Sequence, residues 1–450
     1  MQQNIVNFLD RTFFVNCLLG LLPISFILGN LAINLNTVLI IFTALYIFIR
    51  NNSNFDIVFF DKLILIYFSY ILLIGIFKNI VSIHSEQDLQ SIIKSITYLR
   101  YLMFYFAIRF LIDKNFINLK IFFFVSSLCV LFVSLDIIYQ FIFGQDIFGY
   151  EGNSRRLAGP FGYEWIAGGY LQRFCFFLFF GFLTFNYFKK IPKNIKIILF
   201  CFFATIIGCA LVLAGNRVPF VLFLFTIFLI FIFEKNKRIY FFSLASISIT
   251  TLIILCSVNI EIQNHYGVFQ NKIISLSKIF SKEQELEVIK NKDTDNLLYY
   301  NKENTIPYNS ITYKGKVYVI NQTHVKEFYS GYLTWKSNKF FGGGLKTFRF
   351  NCPKVFVNCN IHPHNYYLEI LADLGVIGFF LIVSFCILIT FKSFFIQNPT
   401  LNPFLYLLFA EFFPFRSTGS FFTTYNAAFI FLLISIIISI LVKKDLNKNI

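Results

Sequence analysis

Apolar runs too long for a soluble core are the feature that most constrains this chain. The run FCFFLFFGFLTF (174–185) is one of many, and together they place spans near 13–29, 31–49, 62–79, 97–113, 119–143, 165–188, 196–213, 218–233, 240–258, 366–391, 403–415 and 426–442. A helix crosses a bilayer with about 20 such residues, so the expected architecture is an all-α polytopic integral membrane protein with about 12 transmembrane helices. The shorter runs fit half-helices or tilted pieces. Composition agrees: the mean hydropathy is +0.68 and charged residues make up 14%, against roughly a quarter in soluble domains. The first run lacks a small-residue cleavage site and is expected to be a retained helix rather than a signal peptide.

The formal charge of +16 reads as a topology signal in this setting, not as a nucleic-acid footprint. Basic residues gather in alternate connections: Arg50 and Lys62, Lys114 and Lys120, KKIPKNIK (189–196), EKNKR (234–238), Lys392 and the tail KKDLNKNI (443–450). By the positive-inside rule these are cytoplasmic, so both termini are expected in the cytoplasm of a multi-pass inner-membrane protein. Three regions follow: 1–258, with the first nine spans and short loops; 259–363, a large external loop; and 364–450, with the last three spans. Within the loop, 281–304 is charged and aperiodic, and SITYKGKVYVI (310–320) alternates as a hairpin does. No P-loop is present, which removes support for ATP-driven transport.

Charge at a membrane is costly unless it is used, so the external side is where chemistry is expected. Four places stand out: NSRRLAGPFGYEWIAGGYLQRF (153–174), with Arg155, Arg156, Glu164 and Arg173; LAGNRVPF (213–220), with Arg217; GGGLKTFRFNC (342–352), with Lys346 and Arg349; and FFPFRSTGSFF (412–422), with Arg416. Snorkelling to lipid headgroups would account for any single one of these. Their gathering suits a diphosphate, which guanidinium groups bind bidentately. Consecutive glycines also let backbone amides approach an anion.

Two of the chain's five histidines open the stretch HPHNYYLEILADLGVIGFF (362–380). Pro363 suits a first helical turn, so a helix is expected from about His364. Asn365, Glu369 and Asp373 then recur every four residues as a polar stripe. A helix N-terminus favours a neutral imidazole, which makes His364 a candidate general base, with Asn365 or Glu369 to orient it or the substrate. Seven of the nine cysteines lie in apolar runs and read as small hydrophobes. Cys352 and Cys359 lie in a polar segment, where a disulfide, free thiols and metal ligation are all open readings.

The run GGGLKTFR (342–349) followed by HPHNYYLEILADLGVIGF (362–379) resembles the signature of the O-antigen ligase/O-antigen polymerase superfamily. His364, Asn365, Glu369, Gly375 and Gly378 fill that family's histidine-asparagine pair, helical glutamate and Gly-x-x-Gly, and LAGNR resembles its short turn with an essential arginine, here Arg217. The segments RLAGPFGYEWIAGGYLQRF and FPFRSTGSFF resemble motifs of one bacterial branch, as does the pairing of Cys352 with Cys359. Many members carry an arginine early in the long loop, where this chain reads HVKEFYSGYLTWK (324–336) with lysines only. No arginine is carried over there.

The resemblance implies a GT-C-like, inverting, metal-independent glycosyltransferase with no cofactor. Its donor would be a glycan on undecaprenyl diphosphate at the periplasmic face. His364 and Arg217 would be catalytic, with Arg349, Lys346, Arg416, Asn365, Glu369, Arg155, Arg156, Glu164 and Arg173 as substrate-binding residues. The acceptor would be lipid A-core for a ligase of lipopolysaccharide biosynthesis, or a lipid-linked glycan for a polymerase; no nucleic acid is involved. A lipid-linked oligosaccharide transporter is a third reading. It fits less well because the charges gather at one face rather than at the midplane.

Overall fold

A computed structural model describes residues 2–80, 86–153, 155–185, 191–268, 310–313, 316–319, 323–356, 359–394, 398, 400–417 and 419–448. The charged segment 281–304 lies outside the described residues. The helices are α1 (Gln2–Leu28), α2 (Asn30–Arg50), α3 (Phe59–Ile80), α4 (Glu86–Asp113), α5 (Leu119–Phe143), α6 (Ala167–Thr184), α7 (Lys193–Leu213), α8 (Arg217–Phe233), α9 (Arg238–Val258), α10 (Thr323–Ser337), α11 (Tyr366–Phe394), α12 (Asn402–Glu411) and α13 (Thr424–Lys448). Each of the twelve segments read as a span holds one of these helices, and α10 belongs to the long loop. Among the described residues, nine are long and apolar enough to cross a membrane, and α8 is a shorter apolar helix. The segment read as 403–415 is helical only to Glu411, and 260–268 is helical beyond α9.

Burial sorts the bundle. The span within α13 is 83% buried and apolar on every face, so it is the central helix, while that of α9 is 17% buried and lies at the rim. One buried charge inside the bundle is neutralised by an ion pair, which offsets its desolvation. Arg109 of α4 donates from Nε and Nη2 to the carboxylate of Asp61 on α3, at 2.8 and 3.0 Å, and Tyr105 adds its hydroxyl at 2.5 Å.

The polar turns sort to the two ends of the bundle. At one end, Asn16 of α1 accepts from the Asn118 amide, and Lys443 of α13 reaches Asn115 at 2.6 Å. Arg11 bonds Asn51 there at 2.9 Å. The opposite end holds the arginine-bearing turns and the start of α11. In the long loop, β1 (Ser310–Tyr313) pairs antiparallel with β2 (Lys316–Val319), which is the hairpin read from the alternation.

α11 is not continuous. Gly375 adopts φ 68° and ψ −171° and splits it. Residues 376–394 still make 19 helical positions, about 28 Å at 1.5 Å each, enough to cross alone; 366–374 form a separate short helix at its head. A break frees backbone groups that must be satisfied. The segment 339–344 inserts to do this. Gly343 N donates to Ala372 O (2.9 Å), Gly344 N to Asp373 O (2.8 Å), and Val376 N donates to Lys339 O (2.9 Å), while Tyr70 of α3 caps Leu374 O at 2.8 Å. The glycine run thus mends a helix, and its amides are not open to an anion as the sequence reading expected.

Backbones approach so closely here that a Cβ at Gly375 would sit 2.2 Å from Phe340 O, and one at Gly342 would sit 2.4 Å from the Asp373 carbonyl carbon. Both residues also have positive φ. Gly375→Ala or Gly342→Ala is expected to destabilise the fold by more than about 3 kcal/mol, read as a lowered melting midpoint of the detergent-solubilised protein. Gly169→Ala, where a Cβ meets nothing within 4 Å, serves as the control.

Candidate active site

The helix begins two residues later than Pro363 suggests. Asn365 is its N-cap: Oδ1 accepts from the amides of Tyr367 (3.0 Å) and Leu368 (3.1 Å). Its Nδ2 donates to Pro414 O at 2.8 Å, which ties the Arg416 loop to the head of α11. Pro363 and His364 precede the cap, and His364 takes a left-handed φ of 52°. The polar stripe does form: Asn365, Glu369 and Asp373 are 5%, 1% and 0% exposed. Glu369 accepts from Ser420 Oγ (2.5 Å) and Phe421 N (2.6 Å), with Lys346 Nζ at 3.3 Å. Asp373 accepts from the Lys346 and Phe348 amides at 2.8 and 3.0 Å.

Arg173 and Arg416 share one carboxylate. Arg173 of α6 donates Nε and Nη2 to Glu411 at 2.8 and 2.7 Å, and Nη2 also reaches Asn426 Oδ1 at 2.6 Å. Its guanidinium lies 4.9 Å from the ring centres of both Tyr425 and Phe429. Arg416 Nη1 lies 2.8 Å from the same Glu411, and its guanidinium stands over Tyr366. Arg173, Arg416 and Glu411 are 2%, 7% and 0% exposed. This is a buried hub, with aromatic faces and an anion offsetting the desolvation of two cations.

A second basic cluster is built where α5 and α7 end and α8 begins. The turn Ala214–Asn216 approaches residues 155–156, so that a Cβ at Gly215 would meet Arg155 O at 2.3 Å. Arg156 stacks at 5.6 Å over Trp165. Arg217 meets His265, from the 260–268 helix, with Nη2 3.1 Å from Nδ1. His265 Nε2 lies 2.8 Å from Gly215 O and 3.2 Å from Arg217 Nε, so the ring bridges the Gly215 carbonyl and the Arg217 guanidinium. Burial, followed by the charges of Arg217, Arg156 and Arg155, holds this imidazole below its usual range. A cavity of about 170 Å³ beside it is lined by Arg155, His265, Glu261 and Tyr266 among others. Glu164 is exposed on the rim. Asn216, next to Arg217, accepts from Gly168 N of α6 at 3.0 Å and donates to Trp165 O. Gly168 and Arg173 are five residues apart, about 7.5 Å along the helix, so α6 carries the contacts of both clusters.

His364 is surrounded by loop residues. Its Nε2 lies 3.7 Å from Glu327 Oε1 of α10 and 3.4 Å from Asn360 Nδ2. Its amide donates to His362 Nδ1, and the two rings are 4.1 Å apart. Burial, with His364 and Lys346 adding, pushes His362 down to about 3, so it is neutral. Arg349 is exposed and also acts on His362. Cys352 and Cys359 are joined by a disulfide that closes the loop before His364, with Cα atoms 6.0 Å apart. Leu333, Phe348, Phe356 and Ala372 pack a small second core around Cys352. Among the described residues no three His, Cys, Asp or Glu side chains gather as metal ligands.

Sequence reading missed Glu411, His265 and Glu327. Glu411 carried a signal, as an acid within the apolar run LFAEFF; His265 is one of only five histidines. Glu327 carried none, because it is 37 residues from His364. Removing one partner of the hub leaves a buried charge. Glu411→Leu strands the buried Arg173 and Arg416 cations and is expected to cost about 3–5 kcal/mol, while Arg173→Met, which leaves the Arg416–Glu411 pair, is expected to cost clearly less, both measured as melting midpoints in detergent. His362, depressed in the folded state, contributes stability that is present above pH 6.5, its ordinary value, and is lost as pH falls toward 3. His362→Gln is expected to flatten the fall in melting midpoint between about pH 6.5 and 4.

No curated protein matches this chain. Residues 201–383, from α7 through the cap and polar stripe of α11, match the family model described as O-antigen ligase. Over that span, which includes Arg217, His364, Asn365 and Glu369, this multi-pass membrane protein carries the region characteristic of the O-antigen ligase/O-antigen polymerase superfamily.

Proposed function

We propose that the protein is a ligase of lipopolysaccharide biosynthesis, transferring a glycan from undecaprenyl diphosphate to lipid A-core at the periplasmic face of the inner membrane. The observation that carries this reading is the gathering of Arg155, Arg156 and Arg217 around His265 within and beside the family-matched region. Like charges repel, so a fold that assembles them is suited to an anion such as a diphosphate. The charges of Arg173 and Arg416 are shared with Glu411, which makes the Arg217 cluster the stronger diphosphate site of the two.

In the proposed step the acceptor hydroxyl oxygen attacks the anomeric carbon from the face opposite the diphosphate, with inversion. The bond from that carbon to the phosphate oxygen breaks, its electron pair leaves with undecaprenyl diphosphate, and His364 takes the hydroxyl proton. Fixed guanidinium groups meet the charge that builds on the leaving group, so the step requires no metal or other cofactor. A general base contributes about 10²–10⁴-fold, and loss of one charge-stabilising donor costs about 10²–10³-fold.

Complementation tests this reading in two hosts, one lacking its ligase and one its polymerase, with the lipopolysaccharide ladder as the readout and expression verified. The expected result is capping of lipid A-core in the first host, abolished by His364→Ala and by Arg217→Ala. Longer chains in the second host alone would replace the ligase reading with the polymerase one. Rescue that survives both substitutions would overturn the mechanism.

A further inference from the structure

We infer that Glu327 is the positioning residue of His364, a carboxylate that fixes the imidazole and offsets its charge when it takes the acceptor's proton. The inference rests on the glycosyl-transfer reading for its purpose and on geometry for its substance. α10 docks where Gly331 meets the histidine loop: a Cβ there would stand 2.8 Å from Pro363 Cβ and 3.0 Å from Leu368 Cβ. Glu327 lies one turn before Gly331 on the same face, and this approach brings its Oε1 to 3.7 Å from His364 Nε2.

Three features mark the carboxylate as held in place rather than incidental. Asn360 Nδ2 donates to Glu327 Oε1 at 2.6 Å while standing 3.4 Å from His364 Nε2, so one amide spans both groups. The Glu327 side chain is only 14% exposed, which strengthens its field at the ring. The neighbouring ring of His362 is neutral and supplies no counter-charge. At 3.7 Å the contact is too long for a direct hydrogen bond and acts through charge. Among the described residues, Lys326 on α10 and Lys346 and Arg349 on 344–351 are cations near the histidine loop and oppose protonation, whereas Glu327 favours it.

The test reads His364 directly. Full-length protein in detergent is treated with diethyl pyrocarbonate, which modifies neutral imidazole. The rate at His364 is followed against pH by mass spectrometry, with fragment ions separating it from His362. Glu327→Gln keeps an acceptor for Asn360 and removes the charge. The expected result is a midpoint for His364 about 0.5–1 pH unit lower than in the parent protein. Glu327→Asp, which keeps the charge farther from the ring, should fall between them, and it serves alone if the Gln variant gives no monodisperse protein. Coincident midpoints in parent and variant overturn the inference. Glycan transfer plays no part in this readout. Coincident midpoints in a protein whose complementation needs His364 would therefore sink the positioning role alone, while a shifted midpoint without complementation would sink the transfer reading alone.

Discussion

Backbone groups that leave a helix ladder inside a protein must find partners, and here that requirement organises the end of the molecule that holds the head of α11. Once Gly375 turns out of helical geometry, the carbonyls of Ala372, Asp373 and Leu374 need donors. The segment 339–344 supplies two of them and Tyr70 the third. That insertion fixes where Lys346 emerges, and the Asp373 carboxylate then holds the amides of Lys346 and Phe348. Lys346 in turn reaches Glu369 and Ser420. The Lys346 segment is thus placed by this one break, and Ser420 joins the Arg416 turn to it.

Electrostatics adds a division of labour that residue type does not reveal. Arg173 and Arg416 meet on Glu411 and are buried among aromatic rings, as structural cations are. Arg155, Arg156 and Arg217 gather near the His265 imidazole instead, and Arg155 and His265 also line a cavity. One cluster consolidates the packing of α6, α12 and α13, and the other presents positive charge at the family-matched turn.

Much of this was legible in the chain itself. The apolar runs fix the helices because length and composition suffice for a membrane span, and the Asn365, Glu369 and Asp373 stripe followed from helical spacing alone. The His-Asn and LAGNR motifs pointed to the family that the 201–383 match supports. What stayed hidden depends on tertiary proximity. Three consecutive glycines look alike for holding an anion and for crossing a broken helix, and only the position of Gly375 decides between them. His364 stands just outside the helix, not in its first turn, because Asn365 is the better cap. Five arginines of the same type divide by where Glu411 happens to lie.

α6 has a consequence of a different kind. An α-helix is stiff over a few turns, and this one is pinned at Gly168 by the Asn216 side chain and at Arg173 by Glu411. The interval between those pins is set by the backbone and not by any loop, so α6 acts as a gauge between the arginine turn and the ion-pair hub. Inserting a single residue between them would turn one pin by about 100° relative to the other, and no rearrangement of side chains could restore both. The count of residues from Gly168 to Arg173 is therefore a dimension of the site.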